Sequence, residues 1–102
     1  MPERKGQGDV AVKPDRKTAR AKRFRVLLFN DDYTTMDFVV QVLESIFRKS
    51  PSEAVQVMLK VHKEGRGIAG VYPRDVAETK ILVVHEASRS AGFPLRAGME
   101  EE

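Results

Sequence analysis

Cysteine is absent from this 102-residue chain, and histidine occurs only twice. The lack of cysteine excludes disulfides, thiolate metal sites and a cysteine nucleophile, and it is consistent with a reducing compartment. Long apolar runs are also absent, and the charged N-terminus lacks the apolar stretch of a signal peptide. We therefore expect a cytoplasmic protein that does not cross a membrane.

Catalytic and metal-binding motifs are missing as well. The chain has no H-E-x-x-H spacing, and Gly65-Arg66-Gly67 is too short for a phosphate loop. Asp31 and Asp32 are adjacent on an extended segment, so their side chains point to opposite sides and cannot easily share a proton. The sequence therefore predicts no enzyme, no metal site and no cofactor.

Positive charge is concentrated at the start of the chain. Residues 1–23 carry eight Lys or Arg against three Asp or Glu, whereas residues 24–102 carry ten against twelve. We predict a flexible basic extension over residues 1–22 and one core domain over residues 23–102. Such an arm can bind nucleic acid without sequence preference, solubilise the protein or serve as a handle for a partner. The core has no basic face with interleaved aromatics, so nucleic acid is not an expected partner.

The first half of the core reads as a strand followed by two helices. Arg23–Phe29 alternates and then becomes continuously apolar, which is typical of a covered strand. An apolar stripe at spacings of three and four predicts a helix from Met36 to Phe47, capped by Thr34 or Thr35. The second helix begins with Ser50 and Pro51, contains a capping-box acid at Glu53, and ends at Gly65.

The second half adds a strand, a helix and a last strand. Residues 67–72 predict a short strand, residues 74–91 a helix ended by Gly92, and residues 93–99 a strand that precedes the acidic tail 100–102. The order β-α-α-β-α-β favours an α+β fold. We expect a small α/β sandwich, in which three helices pack on a three-stranded, mainly antiparallel sheet.

The segment Asn30-Asp31-Asp32-Tyr33-Thr34 places several acceptors directly after the first strand. Asn and Asp commonly form strand-to-helix turns, but three acceptors in a row exceed what a turn needs and suggest a cation site. The histidines are less informative. His62 lies at the edge of an apolar stripe on the second helix, and His85 is expected on a solvated face of the third.

Three separated motifs together resemble the ClpS adaptors. They are residues 26–34, residues 58–62, and residues 70–72 followed by 76–80, and the resemblance covers roughly residues 22–99. This likeness implies the α/β sandwich of the ClpS core. It also implies an adaptor that recognises bacterial N-end-rule substrates and delivers them to the AAA+ unfoldase ClpA of the ClpAP protease.

The resemblance implies a peptide site with two parts. A buried α-ammonium needs acceptors, and Asn30, Asp31 and neutral His62 could supply them. Asp32 and Thr34 would contact the peptide backbone or form the rim. The first side chain, Leu, Phe, Tyr or Trp, would enter an apolar pocket in which Met36 blocks side chains branched at Cβ. The predicted pocket residues are Met36, Val39, Met58, Val61 and Leu95.

The resemblance further implies that Asp75 and Lys80 contact the N-terminal domain of the unfoldase, and that the basic arm engages the unfoldase channel during transfer. Pro73 stands where the family commonly has threonine, which could shift the start of the third helix. We expect a monomer. Two other functions stay open: an interaction module like the ribosomal stalk domain, without amine recognition, and a nucleic-acid binder that acts through the arm.

Overall fold

The computed structural model describes residues 21–102. Residues 1–20 lie outside the described residues, and so does nearly all of the basic extension predicted for residues 1–22. The six elements follow one another in the predicted order β-α-α-β-α-β, which is confirmed. They are β1 (Arg23–Phe29), α1 (Met36–Ser45), α2 (Pro51–Glu64), β2 (Arg66–Pro73), α3 (Arg74–Ala91) and β3 (Arg96–Glu101).

The three strands form one antiparallel sheet in the order β2-β1-β3. Leu28 of β1 lies opposite Gly67 of β2 on one side and Ala97 of β3 on the other. Val26 and Leu28 are fully buried in the core that the helices share, whereas Ile68, opposite Leu27, is 45% exposed. Since neighbouring strand residues point to opposite faces, the helices cover one face of the sheet.

The helix ends are determined by local capping. The Thr35 hydroxyl accepts a hydrogen bond from the N–H of Phe38 at 3.1 Å, which selects Thr35 over Thr34 as the cap of α1. Ser50 and Glu53 form the predicted capping box at the start of α2. Gly65 ends α2 with φ of 93° and Gly92 ends α3 with φ of 83°, the left-handed conformation that glycine adopts most easily.

The C-terminal segment differs from the prediction. β3 covers Arg96–Glu101 instead of residues 93–99, so most of the expected acidic tail belongs to the sheet. The reason is electrostatic as well as geometric, because basic side chains of β1 face this tail. Arg23 Nε lies 2.8 Å from Glu102 Oε1, and an Arg25 guanidinium nitrogen lies 3.3 Å from Glu100 Oε2.

His85 also differs from the prediction of a solvated side chain. It is partly buried, and its Nε2 accepts a hydrogen bond from the N–H of Ala97 at 3.0 Å. His85 thereby joins α3 to β3. The partner lies twelve residues away along the chain, so the residues next to His85 give no sign of this bond.

The core contains side chains from every element or its immediate flank. Its buried members are Val26, Leu28, Val39, Val42, Leu43, Phe47, Ala54, Met58, Val61, Ala69, Ala77, Val84, Leu95 and Ala97.

Candidate functional site

A cavity of about 250 Å³ opens where β1 ends and α1 begins, beside the last turns of α2. Asn30 brings these elements together, because its backbone N–H donates to the carbonyl of Gly65, the C-cap of α2, at 2.9 Å. The cavity is lined by Asn30, Asp31, Asp32, Thr34, Met36, Val39, Met58, Val61 and His62. All nine belong to the peptide site predicted from the sequence.

Asp31 organises the turn between β1 and α1. Its Oδ1 accepts hydrogen bonds from the N–H groups of Tyr33 (2.8 Å) and Thr34 (2.7 Å), and its Oδ2 accepts one from the Thr34 hydroxyl (2.7 Å). Burial raises the pKa of Asp31, but the bonds from Thr34 and Tyr33 outweigh burial and hold the pKa below its usual value. The carboxylate therefore stays charged at neutral pH and retains acceptor capacity on Oδ2.

Asn30 and His62 present polar side chains beside this carboxylate. Both residues are exposed, and within residues 21–102 neither side chain makes a hydrogen bond. A neutral imidazole offers one acceptor nitrogen, and the Asn30 amide offers one acceptor oxygen. Together with Asp31, they form a cluster suited to a group that donates several hydrogen bonds and carries positive charge.

The apolar side of the cavity has a fixed floor and an exposed edge. Val39, Met58 and Val61 are 6%, 9% and 2% exposed and belong to the core, so their positions are set by close packing. Met36, the first residue of α1, is 45% exposed. Because methionine is unbranched and has three rotatable bonds, Met36 can adjust to side chains of different shape.

Leu95 is the one predicted pocket residue that does not line this cavity. It lies directly before β3, is 3% exposed, and is packed into the same core as Val39, Met58 and Val61. The residue was expected on the last strand, but Gly92 ends α3 and Phe93–Leu95 form the connection to β3. Leu95 therefore contributes to the core and is absent from the cavity lining.

A second concavity, a groove of about 500 Å³, lies between the C-terminal end of α1 and one face of α3. It contains both Asp75 and Lys80. Asp75 Oδ1 accepts a hydrogen bond from the N–H of Val76 at 2.9 Å, which satisfies one first-turn donor where the cap residue Pro73 makes no side-chain bond. The groove is lined by Ser45, Ile46, Arg48, Asp75, Val76, Thr79, Lys80 and Val83.

The sequence prediction missed six of these eight groove residues. A signal was present, because Val76 and Val83 lie seven positions apart on α3 and are 38% and 41% exposed. Apolar residues at this spacing share one helix face. From this helix face, the sequence prediction named only Asp75 and Lys80.

Metal binding has no support in the described part of the chain. Among residues 21–102, no group of three or more His, Asp or Glu side chains could hold a metal ion.

Comparison with known proteins identifies the family. The family model described as "ATP-dependent Clp protease adaptor protein ClpS" matches residues 19–98. The chain belongs to the ClpS family. The ClpS relative from Desulfatibacillum aliphaticivorans is 56% identical over 95 residues, 93% of this chain and 91% of that protein. The relative from Oleidesulfovibrio alaskensis is 57% identical over 93 residues, 91% of this chain and 88% of that protein.

A solved structure of a ClpS protein is also similar to this chain. Agrobacterium tumefaciens ClpS2 bound to L-phenylalaninamide matches with a TM-score of 0.78 and 41% identity, and the match covers 81% of this chain and all of that one. Family membership makes this ClpS chain an adaptor of the Clp protease and not an enzyme. Within residues 21–102, no helix is long and apolar enough to span a membrane.

Proposed function

We propose that this ClpS chain binds the free N-terminal residue of substrate proteins, when that residue is Leu, Phe, Tyr or Trp, and passes them to a ClpA-type AAA+ unfoldase. The observation that carries this proposal is the cavity at the start of α1. It joins three polar groups, Asn30, Asp31 and His62, to an apolar floor within one space of about 250 Å³.

The polar end suits an α-ammonium. Transferring an ammonium group from water to a site without hydrogen-bonding partners costs roughly several kcal/mol, so a site for it must offer both negative charge and acceptors. The lowered pKa of Asp31 keeps a negative charge at the cavity. The acceptors of Asn30 and His62 complete the set, whereas Asp31 contributes mainly through its charge, since its oxygens already accept three hydrogen bonds from its own turn.

The apolar end suits one side chain. Sites for drug-sized ligands measure about 300–1,000 Å³, so 250 Å³ favours a single large apolar residue over a longer segment. The Agrobacterium ClpS2 ligand supports this choice, because L-phenylalaninamide carries a free amine, a benzyl group and an amide in place of the first peptide bond. Asp32 and Thr34 at the rim would then contact the peptide backbone.

Met36 is our candidate for selecting the shape of the first residue. It lines the cavity from the exposed edge, where it would meet a substrate side chain close to its Cβ atom. A side chain branched at Cβ would be disfavoured there by about 1–3 kcal/mol.

Asp75 and Lys80 are our candidates for the unfoldase contact, with its N-terminal domain as the partner. They lie in the groove beside Ile46, the C-cap of α1, whereas the substrate cavity includes Met36 at the opposite end of this helix. Ten helical residues span about 15 Å. This separation would let substrate and unfoldase bind at the same time. The roles of the arm and the monomeric state stay predictions.

Fluorescence anisotropy of labelled peptides tests the proposal. The peptides differ only at residue one, Leu or Phe against Lys, and each carries a free or an acetylated N-terminus. We expect binding of the free Leu and Phe forms alone, and loss of that binding in N30A and H62A. Binding that ignores acetylation would refute amine recognition and favour the interaction module resembling the ribosomal stalk domain.

A further inference from the structure

Lys80 extends from α3 to the end of α1. Its Nζ donates a hydrogen bond to the carbonyl oxygen of Ile46, the C-cap of α1, at 2.7 Å. The side chain is half-buried, so this bond is partly protected from competing water. The ammonium is therefore already engaged within the protein.

Two aromatic rings hold the same ammonium. Nζ lies 5.4 Å from the ring centroid of Tyr72 and 5.9 Å from that of Phe47, and the two centroids are 6.3 Å apart. Both distances fall within the range of about 6 Å in which a cation is attracted to an aromatic face. Phe47 follows α1 and Tyr72 belongs to β2, so Lys80 connects three parts of the fold.

The end of α1 receives a cation from another helix. Its last turn contains no basic residue, and the chain leaves the helix through Arg48 in the left-handed conformation, with φ of 58°. The carbonyl oxygens at a helix C-terminus lack intrahelical partners and carry partial negative charge. Lys80 adds positive charge at this helix end and satisfies one of these carbonyls.

We propose that Lys80 is a positioning residue that fixes the end of α1 against α3 and so sets the shape of the groove between them. Ser45, Ile46 and Arg48 form one wall of this groove, and α3 forms the other. Beyond its proposed place in the unfoldase contact, Lys80 would influence unfoldase binding by fixing these walls. This last step rests on the proposed function, whereas the position of Lys80 does not.

NMR of the free protein tests the position of Lys80. Ring currents from Phe47 and Tyr72 should move the Hε resonances of Lys80 upfield of those of the exposed lysines Lys60 and Lys63. Tyr72→Phe should preserve this shift, because it keeps the ring, and Tyr72→Leu should reduce it. Lys80 Hε resonances that coincide with those of Lys60 and Lys63 would overturn the proposal.

Matched lysine variants test the consequence. K80M replaces the lysine with an apolar side chain and so removes the ammonium. We expect its melting temperature to lie about 4–8 °C below that of the wild type. K60M, which removes one charge from an exposed lysine that precedes the last turn of α2, should change the melting temperature little. We expect K80M to weaken binding of the isolated N-terminal domain of ClpA and K80R to restore most of it.

Two results would contradict this inference: equal melting temperatures for K80M and K60M, or a K80R variant that binds as weakly as K80M. If the wild-type chain does not bind the unfoldase domain at all, the proposed function fails. The NMR and melting experiments would still decide the position of Lys80.

Discussion

Truncation of Asp31 to alanine should loosen the turn that forms the polar end of the cavity. The substitution removes three hydrogen bonds of 2.7–2.8 Å to Tyr33 and Thr34. Tyr33 is 77% exposed, so water can reach its freed N–H group. The loss of folding stability should therefore resemble that caused by removing a helix cap, and should be smaller than that caused by breaking three buried hydrogen bonds. We expect D31A to lower the free energy of unfolding by about 1–2 kcal/mol, or the melting temperature by about 5–15 °C.

Thermal unfolding followed by circular dichroism measures this effect, and D32A is its matched control. Asp32 is the adjacent acid, is exposed, and its side chain makes no hydrogen bond or ion pair within residues 21–102. D32A therefore removes the same formal charge without disturbing the turn. Equal losses of stability in D31A and D32A would refute the assignment of Asp31 as the organiser of this turn.

The pH dependence gives a second check on Asp31. Its pKa is lower in the folded protein than its usual value, so the charged form stabilises the fold above the unfolded pKa of about 3.9. This contribution is lost as pH falls through the lowered pKa. The difference in stability between wild type and D31N should therefore shrink as the pH decreases below about 4. A constant difference down to pH 2 would contradict the argument.

Two further substitutions test other parts of the structure. M36A should bind Ile- and Val-initiated peptides about 10–200-fold more tightly than wild type, and Leu-initiated peptides are the control. Little stability should be lost, because Met36 is 45% exposed. Unchanged affinity for Ile- and Val-initiated peptides would contradict the proposed role of Met36 in excluding side chains branched at Cβ. G70A should displace the Tyr72 ring, whose Cζ would lie 2.6 Å from the new Cβ, and so reduce the upfield shift of Lys80 Hε. Adding G70A to Tyr72→Leu should then cost no further stability, and a further loss would show that the collision involves other atoms.

Local sequence signals predicted most element boundaries. Ser50 and Glu53 satisfy each other's backbone groups across three positions, and the left-handed glycines Gly65 and Gly92 end their helices. These interactions involve residues at most a few positions apart, so they can be predicted from the sequence itself. The run Asn30–Thr34 is equally local, and its surplus of acceptors suggested a cation site.

All nine residues that line the cavity were predicted, together with Leu95, which does not line it, but the different hydrogen bonding of the polar residues was not predicted. Asn30, Asp31 and His62 were predicted together as acceptors for an α-ammonium. The structure gives Asp31 a different position, since its carboxylate is bonded to its own turn while the other two side chains make no hydrogen bond within residues 21–102. Leu95 was misplaced for a related reason, because burial next to a pocket and exposure to it look the same in sequence.

The sequence by itself determined the order of the elements, the capping box of α2 and the glycines that end α2 and α3, because these depend on periodicity or on near neighbours. Through the family resemblance it also indicated the residues that line the cavity. Only the tertiary structure decided the partners of Lys80, His85 and the acidic C-terminus. Lys80 and Ile46 are 34 residues apart, and Arg23 and Glu102 are 79 apart. Contacts at such separations arise from how helices and strands pack, which no local preference of the chain encodes.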